Sequence, residues 1–214
     1  MTDEAGTRGS FSQESVAAIR QVVGARHSVR SFGSVVPPRE ALEEILAAGL
    51  AAPYAAAMAP GTALDRRFFV LPRGSVALQA AAATIQAHAV EALGEGDLPA
   101  PLRDRLAPVA QGRILGVGTA PYYVVVAERG SMLAVQQQSL AHALQNMWLM
   151  ATALGLGMHL VSVTSMMADD PAFCHILGLP VSEFALNGCA IGVPEQAPET
   201  RSLADVGSMT RWLA

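Results

Sequence analysis

The sequence predicts an α+β domain with helices packed on a central sheet, and three stretches carry that expectation. Residues 139–157, SLAHALQNMWLMATALGLG, repeat Leu140, Leu144, Met147, Ala151 and Leu154 at helical spacing, while Trp148, Leu149, Met150 and Ala153 fill most of the remaining circumference. Such a helix is expected to be buried nearly all round, with a second subunit covering part of it. The run GTAPYYVVVAE, bounded by Gly118 and Gly130, is uninterrupted, β-branched and aromatic, as in a strand at mid-sheet. ALNGCAIGVP, residues 185–194, reads as another core strand. Helices and strands mix without strict βαβ alternation, which favours α+β over a doubly wound sheet.

The 214 residues suffice for one ordinary core. Half the chain (51%) is hydrophobic and only 15% is charged, a thin charged surface that favours burial in an oligomer. A net charge of -4 with no basic run excludes nucleic acid as a partner. His142, Gln145 and Asn146 interrupt the apolar helix and no basic flank borders it, so a membrane span is not expected. Cys174 and Cys189 are too few for a disulfide framework or a structural zinc site and fit buried thiols in a reducing cytoplasm. The acidic, polar start has no apolar signal region. The expected organisation is a mobile N-terminus over 1–11, a domain over 12–195, and a tail over 196–214. Trp212 and Leu213 suggest that the tail packs on the domain or on a partner subunit.

In chain order, Ser12 is placed to cap a helix over residues 13–23 whose Val16, Ile19 and Val23 share a docking face and which Gly24 ends. The segment ARHSVRSFG that follows is too short to be a core element. Pro37 and Pro38 start a helix over residues 39–52, with Leu42, Ile45, Leu46 and Leu50 inward and Pro53 as its stop. YAAAMAPGTALDRR reads as loop, FFVLP as a short buried strand, and residues 75–93 as an alanine-rich helix. Residues 102–114 are expected to form a helix interrupted by Pro108. After the apolar helix, MHLVSVTSM is extended, and Asp169 with Pro171 opens a short helix, PAFCHILG.

Arg26, His27, Ser28 and Arg30 are the first candidates for chemistry. Arginine forks give permanently charged, bidentate hydrogen bonds, and a serine hydroxyl adds a short neutral donor, a set suited to a phosphate ester or an anionic ring edge. Taken alone, the cluster also describes a solvated basic turn. No Walker A loop, GxSxG elbow or HExxH motif is present, and GLGMHL lacks a third glycine and ends a helix. Cys174 and His175 are adjacent on one helix and point different ways, so they make no metal or nucleophile pair. His88 and His142 read as structural.

Four blocks in order resemble the nitroreductase family of FMN enzymes: RHSVRSF before a proline-started helix ending AAP, APYYVVVAE, LQNMWLMATALGLGM, and ALNGCAIGVPEQAP followed by Arg201. The resemblance spans about residues 20–205. It implies a mainly antiparallel sheet flanked by helices in an intertwined homodimer, with FMN at the interface. It further implies that Arg26, His27, Ser28 and Arg30 hold FMN at its phosphate, ribityl chain and pyrimidine edge, and that Arg201 completes the phosphate site. The segment after the core helix, near Ser162 and Val163, would give a backbone N–H to flavin N5. The implied activity is ping-pong hydride transfer from NADH or NADPH through FMN to a small nitroaromatic, quinone or enone. Such chemistry belongs to the cofactor and needs no protein acid or base.

One departure stands out. The family commonly continues after AAP with a serine, an asparagine and a Gln-Pro-Trp-like segment, whereas this chain reads AAPYAAAMAPGTALDRR, with no asparagine. Tyr54 and Met58 become candidates for lining the substrate side, although an ordinary apolar loop would read the same way. The rebuilt loop keeps two further readings open. One is a flavin oxidase or dehydrogenase that desaturates a peptide-like or natural-product intermediate. The other is a non-catalytic flavin-binding or scaffold subunit. No basic cluster marks the extra phosphate of NADPH, so the choice of nicotinamide stays open.

Overall fold

The computed structural model describes residues 11–54, 65–95, 98–129, 133–197 and 205–213. Strands β1 (Arg66–Pro72), β2 (Tyr122–Arg129), β3 (Gly157–Leu160) and β4 (Phe184–Gly192) form one sheet in the order β1-β2-β4-β3, every pair antiparallel. The helices are α1 (Gln13–Ala25), α2 (Arg39–Leu50), α3 (Val76–Gly94), α4 (Ala100–Ala110), α5 (Leu133–Ala153), α6 (Pro171–Leu177) and α7 (Val206–Met209). A 3-10 turn, Ser162–Met166, follows β3.

Helices cover both faces of the sheet, and the pleat sorts the side chains between them. Along β2, Tyr123, Val125 and Ala127 join the core beneath α3, α4 and α6, while Val124 and Val126 join the core beneath α2 and α5. This explains the unbroken apolar run in β2. A strand buried on both faces needs no polar alternation, whatever the direction of its neighbours.

Local signals set several boundaries. The Ser12, Ser75 and Asp170 side chains accept from the backbone N–H of Ser15, Leu78 and Phe173. Asp170, not Asp169, is therefore the cap of α6. Gly155 in the left-handed conformation (φ 71°) ends α5, with Gly155 N–H donating to Thr152 O. Gly24 does not end α1. The helix runs to Ala25 and stops because Arg26 turns extended, which lets Val29 N–H donate to Met158 O on β3. The predicted helix over 102–114 starts and ends earlier, as α4, and the extended stretch after Gly157 is half strand and half 3-10 turn.

Helix α5 is six residues longer at its start than residues 139–157 suggested, and its own chain does not cover it all round. Leu140, Ala143, Leu144, Met147 and Ala151 are buried, but His142, Gln145 and Leu154 are exposed, so of the three polar residues that interrupt the apolar run only Asn146 takes an internal partner, donating to Ala48 O. Helix α1 buries none of its residues, and its expected docking face is open, with Ile19 58% and Val23 52% exposed. Leu50 on α2 is likewise exposed. No described helix is long and apolar enough to cross a membrane. Both cysteines are free and buried, and burial pushes both thiols up from their ordinary value, which leaves them inert.

Gly188 in β4 sits where a side chain has no room. An added Cβ would collide with Thr164 Oγ1, which is hydrogen-bonded to the Tyr123 hydroxyl at 2.7 Å and donates to Val161 O at 2.7 Å. Gly188→Ala is expected to destabilise the chain by about 1–3 kcal/mol through overpacking. In urea unfolding, an unchanged midpoint would show that Thr164 withdraws without loss.

Candidate functional site

The predicted basic segment is held against the sheet edge. Ser28 pairs with Met158 in a parallel bridge, Phe32 pairs with Pro194, and Val29 and Phe32 are buried in the core. The segment is therefore part of the core, contrary to the expectation from its length. Its fit is close: a Cβ at Gly157 would lie 2.6 Å from Val29 Cγ2. Small size at Gly157 is what allows Arg26 to Phe32 to run beside β3.

Helix α5 supports the same segment from the other side. Trp148 Nε1 donates to His27 O at 3.0 Å, and the Arg26 guanidinium lies over the Trp148 ring, 4.7 Å from its centroid. His27 Nδ1 donates to Ala25 O at 2.9 Å, which fixes the ring and turns Nε2 away from the backbone. Arg26 and Arg30 have no acidic partner among the described residues, whereas Arg39, Arg66, Arg67 and Arg129 each have one. The segment thus presents unneutralised positive charge.

Beside β3 lies a cavity of about 600 Å³. Leu102, Leu106 and Val109 of α4, with Ile114, form one wall; His159, Ser162 and Val163 form another. Ser162 and Val163 open the 3-10 turn, where backbone N–H groups have no acceptor within the turn itself. His159 Nδ1 is buried with no hydrogen-bond partner among the described residues. Burial, and then the nearby Arg30 charge, hold the His159 pKa below its ordinary value, so its imidazole is neutral at pH 7.

The structure therefore brings Arg30 and, through β3, the Ser162–Val163 turn to one edge of the sheet. It does not bring Tyr54 there. The Tyr54 hydroxyl donates to Arg129 O, and its ring lies 5.8 Å from the Arg66 guanidinium, at the opposite edge strand. Met58 and Arg201 lie outside the described residues. No short-range signal in the sequence marks Trp148, His159, Arg105 or Arg113 as a site residue. Leu102, Leu106 and Val109 recur on one face of α4 with Arg105 between them, but Pro108 obscured that helical pattern.

A four-stranded antiparallel sheet with helices on both faces, and a basic segment beside an apolar cavity at its edge, define an α+β protein whose pocket is of a size to enclose a small molecule. The Nitroreductase family matches residues 23–193, and the chain belongs to that family. Solved structures share the fold. A nitroreductase with bound FMN from Bacteroides fragilis is 24% identical, with 91% of this chain and 98% of that one covered and a TM-score of 0.70. A BluB-like flavoprotein from Clostridium difficile is 21% identical, with 92% and 99% covered and a TM-score of 0.70. A nitroreductase with bound FMN from Desulfitobacterium hafniense is 21% identical, with 92% and 98% covered and a TM-score of 0.67. No curated protein matches the chain.

Proposed function

We propose that the chain is an FMN-dependent oxidoreductase that works as a homodimer. The observation that carries the reading is the juxtaposition at β3, where a basic segment with no acidic partner among the described residues lies beside a cavity lined by the start of the 3-10 turn and by an imidazole nitrogen with no described partner. Those residues fit the cofactor. Arg26 and Arg30 would take the phosphate, with Arg201 as a third cation, and His27 and Ser28 would meet the ribityl chain or ring edge. The Ser162 and Val163 N–H groups would face N5. FMN, when bound, supplies hydride transfer between a nicotinamide donor and a small organic acceptor. The chain's part is to hold and orient the cofactor and to exclude water, and α4 with Ile114 gives the apolar cover for that.

The dimer reading has separate support. Ile19, Val22 and Val23 of α1, with Ala48, Leu149 and Met150, line an apolar groove of about 400 Å³, and Trp212 at the chain's end is 92% exposed. A second subunit would cover both, and would allow Tyr54 and Met58 of one chain to reach the flavin of the other. The test is one purified sample: twice the chain mass by light scattering, and a flavin spectrum that bleaches on anaerobic NADH or NADPH. A flavin spectrum that nicotinamides leave untouched, with oxygen consumed on another donor, would move the assignment to an oxidase or dehydrogenase. A colourless protein that FMN cannot reconstitute would remove it from flavin chemistry.

A further inference from the structure

The cavity beside β3 is apolar in its wall and basic at its rim. Arg105 and Arg113 both border it, and no aspartate or glutamate among the described residues does. Among the described residues Arg105 has no hydrogen bond or ion pair, and Arg113 reaches only the uncharged Gln111 side chain at 2.5 Å. Asp104 precedes Arg105 on α4, but adjacent helical residues point about 100° apart and do not face each other. Both arginines are solvent-exposed, so they wait hydrated, with no burial cost in the unliganded protein. His159 lines the same cavity, and its Nδ1 is buried with no hydrogen-bond partner among the described residues.

We infer that this cavity takes a small apolar acid: a carboxylate on the Arg105 and Arg113 guanidinium groups, and an aromatic or aliphatic body against Leu106, Val109 and Ile114. The guanidinium fork matches a carboxylate in plane and in spacing. An apolar body seated behind it excludes water and strengthens the contact by lowering the local dielectric. A polar atom on the body would complete the hydrogen bonding of His159. The volume is in the range of pockets that enclose a small organic ligand. The inference rests on the flavin reading only in making this acid the acceptor; the anion subsite itself depends on the chain alone.

The test uses 4-nitrobenzoate and 4-nitrobenzamide, which share a body and differ in charge. Calorimetric titration of the full-length protein is expected to show the benzoate binding about tenfold more tightly, the effect of one charge-assisted contact. The double variant Arg105→Gln, Arg113→Gln should lose that preference with its bound flavin content unchanged, and Arg105→Lys, Arg113→Lys should keep part of it. No binding of either probe, equal affinities, or a preference that survives the glutamine variant would overturn the proposal. So would loss of flavin from that variant, which would assign the arginines to the cofactor. A carboxylate preference in a protein that cannot hold FMN would support the anion subsite and overturn the flavin reading. A bleachable flavin without the preference would do the reverse.

Discussion

Glu128→Ala is expected to lower the stability of the folded chain by about 3–5 kcal/mol, the cost of leaving a buried charge without its partner. Glu128 and Arg66 face each other across β2 and β1, and both side chains are fully buried. Arg66 also donates to Gly49 O at 2.7 Å, Ala52 O at 3.0 Å, Pro53 O at 2.7 Å and Ser139 Oγ at 3.2 Å. One guanidinium therefore satisfies the carbonyls at the end of α2 and ties that end to α5. Without the Glu128 carboxylate the guanidinium stays where its carbonyl partners hold it and remains uncompensated. Equilibrium urea unfolding would measure the loss, with Glu128→Gln as a milder comparison that keeps the shape. A loss below about 1 kcal/mol, the scale of a surface pair, would mean that water reaches the site and that the charge is not buried in solution.

Arg26→Ala is expected to weaken FMN binding roughly 10–100-fold, since a charge-assisted hydrogen bond contributes about 1.5–3 kcal/mol. The arginine is pre-arranged for a ligand. Its guanidinium has no acidic partner among the described residues and rests on the Trp148 face, and that stacking leaves less side-chain freedom to be lost on binding. Trp148→Phe keeps an aromatic platform but loses the donor to His27 O, and should fall between wild type and Arg26→Ala. Flavin retention on dialysis, followed by absorbance, checks the order. Wild-type retention by folded Arg26→Ala would show that the phosphate is held elsewhere.

Some of this was legible before any coordinates. The apolar runs of β2 and β4 named themselves as core strands, and the serine caps and prolines marked most helix starts, because these signals act within a few residues of chain. Arg26, His27, Ser28 and Arg30 stood out because uncompensated donors grouped between a helix and a proline have few structural uses. The extent of burial was not legible. The apolar circumference of α5 reads as total burial, yet a hydrophobic side chain carries no information about whether its cover comes from its own chain or from another.

The sequence by itself determined the fold class, the order of the elements and the basic segment as the place to look for a ligand. Those follow from periodicity and residue chemistry, which are local. Only the tertiary structure decided that the segment lies on β3 with Trp148 beneath Arg26, that Arg66 and Glu128 neutralise each other, and that Arg105, Arg113 and His159 meet at one cavity. These contacts join residues far apart in the chain. Their partners are chosen by strand register and by which helix covers which face, and no short window of sequence contains that choice.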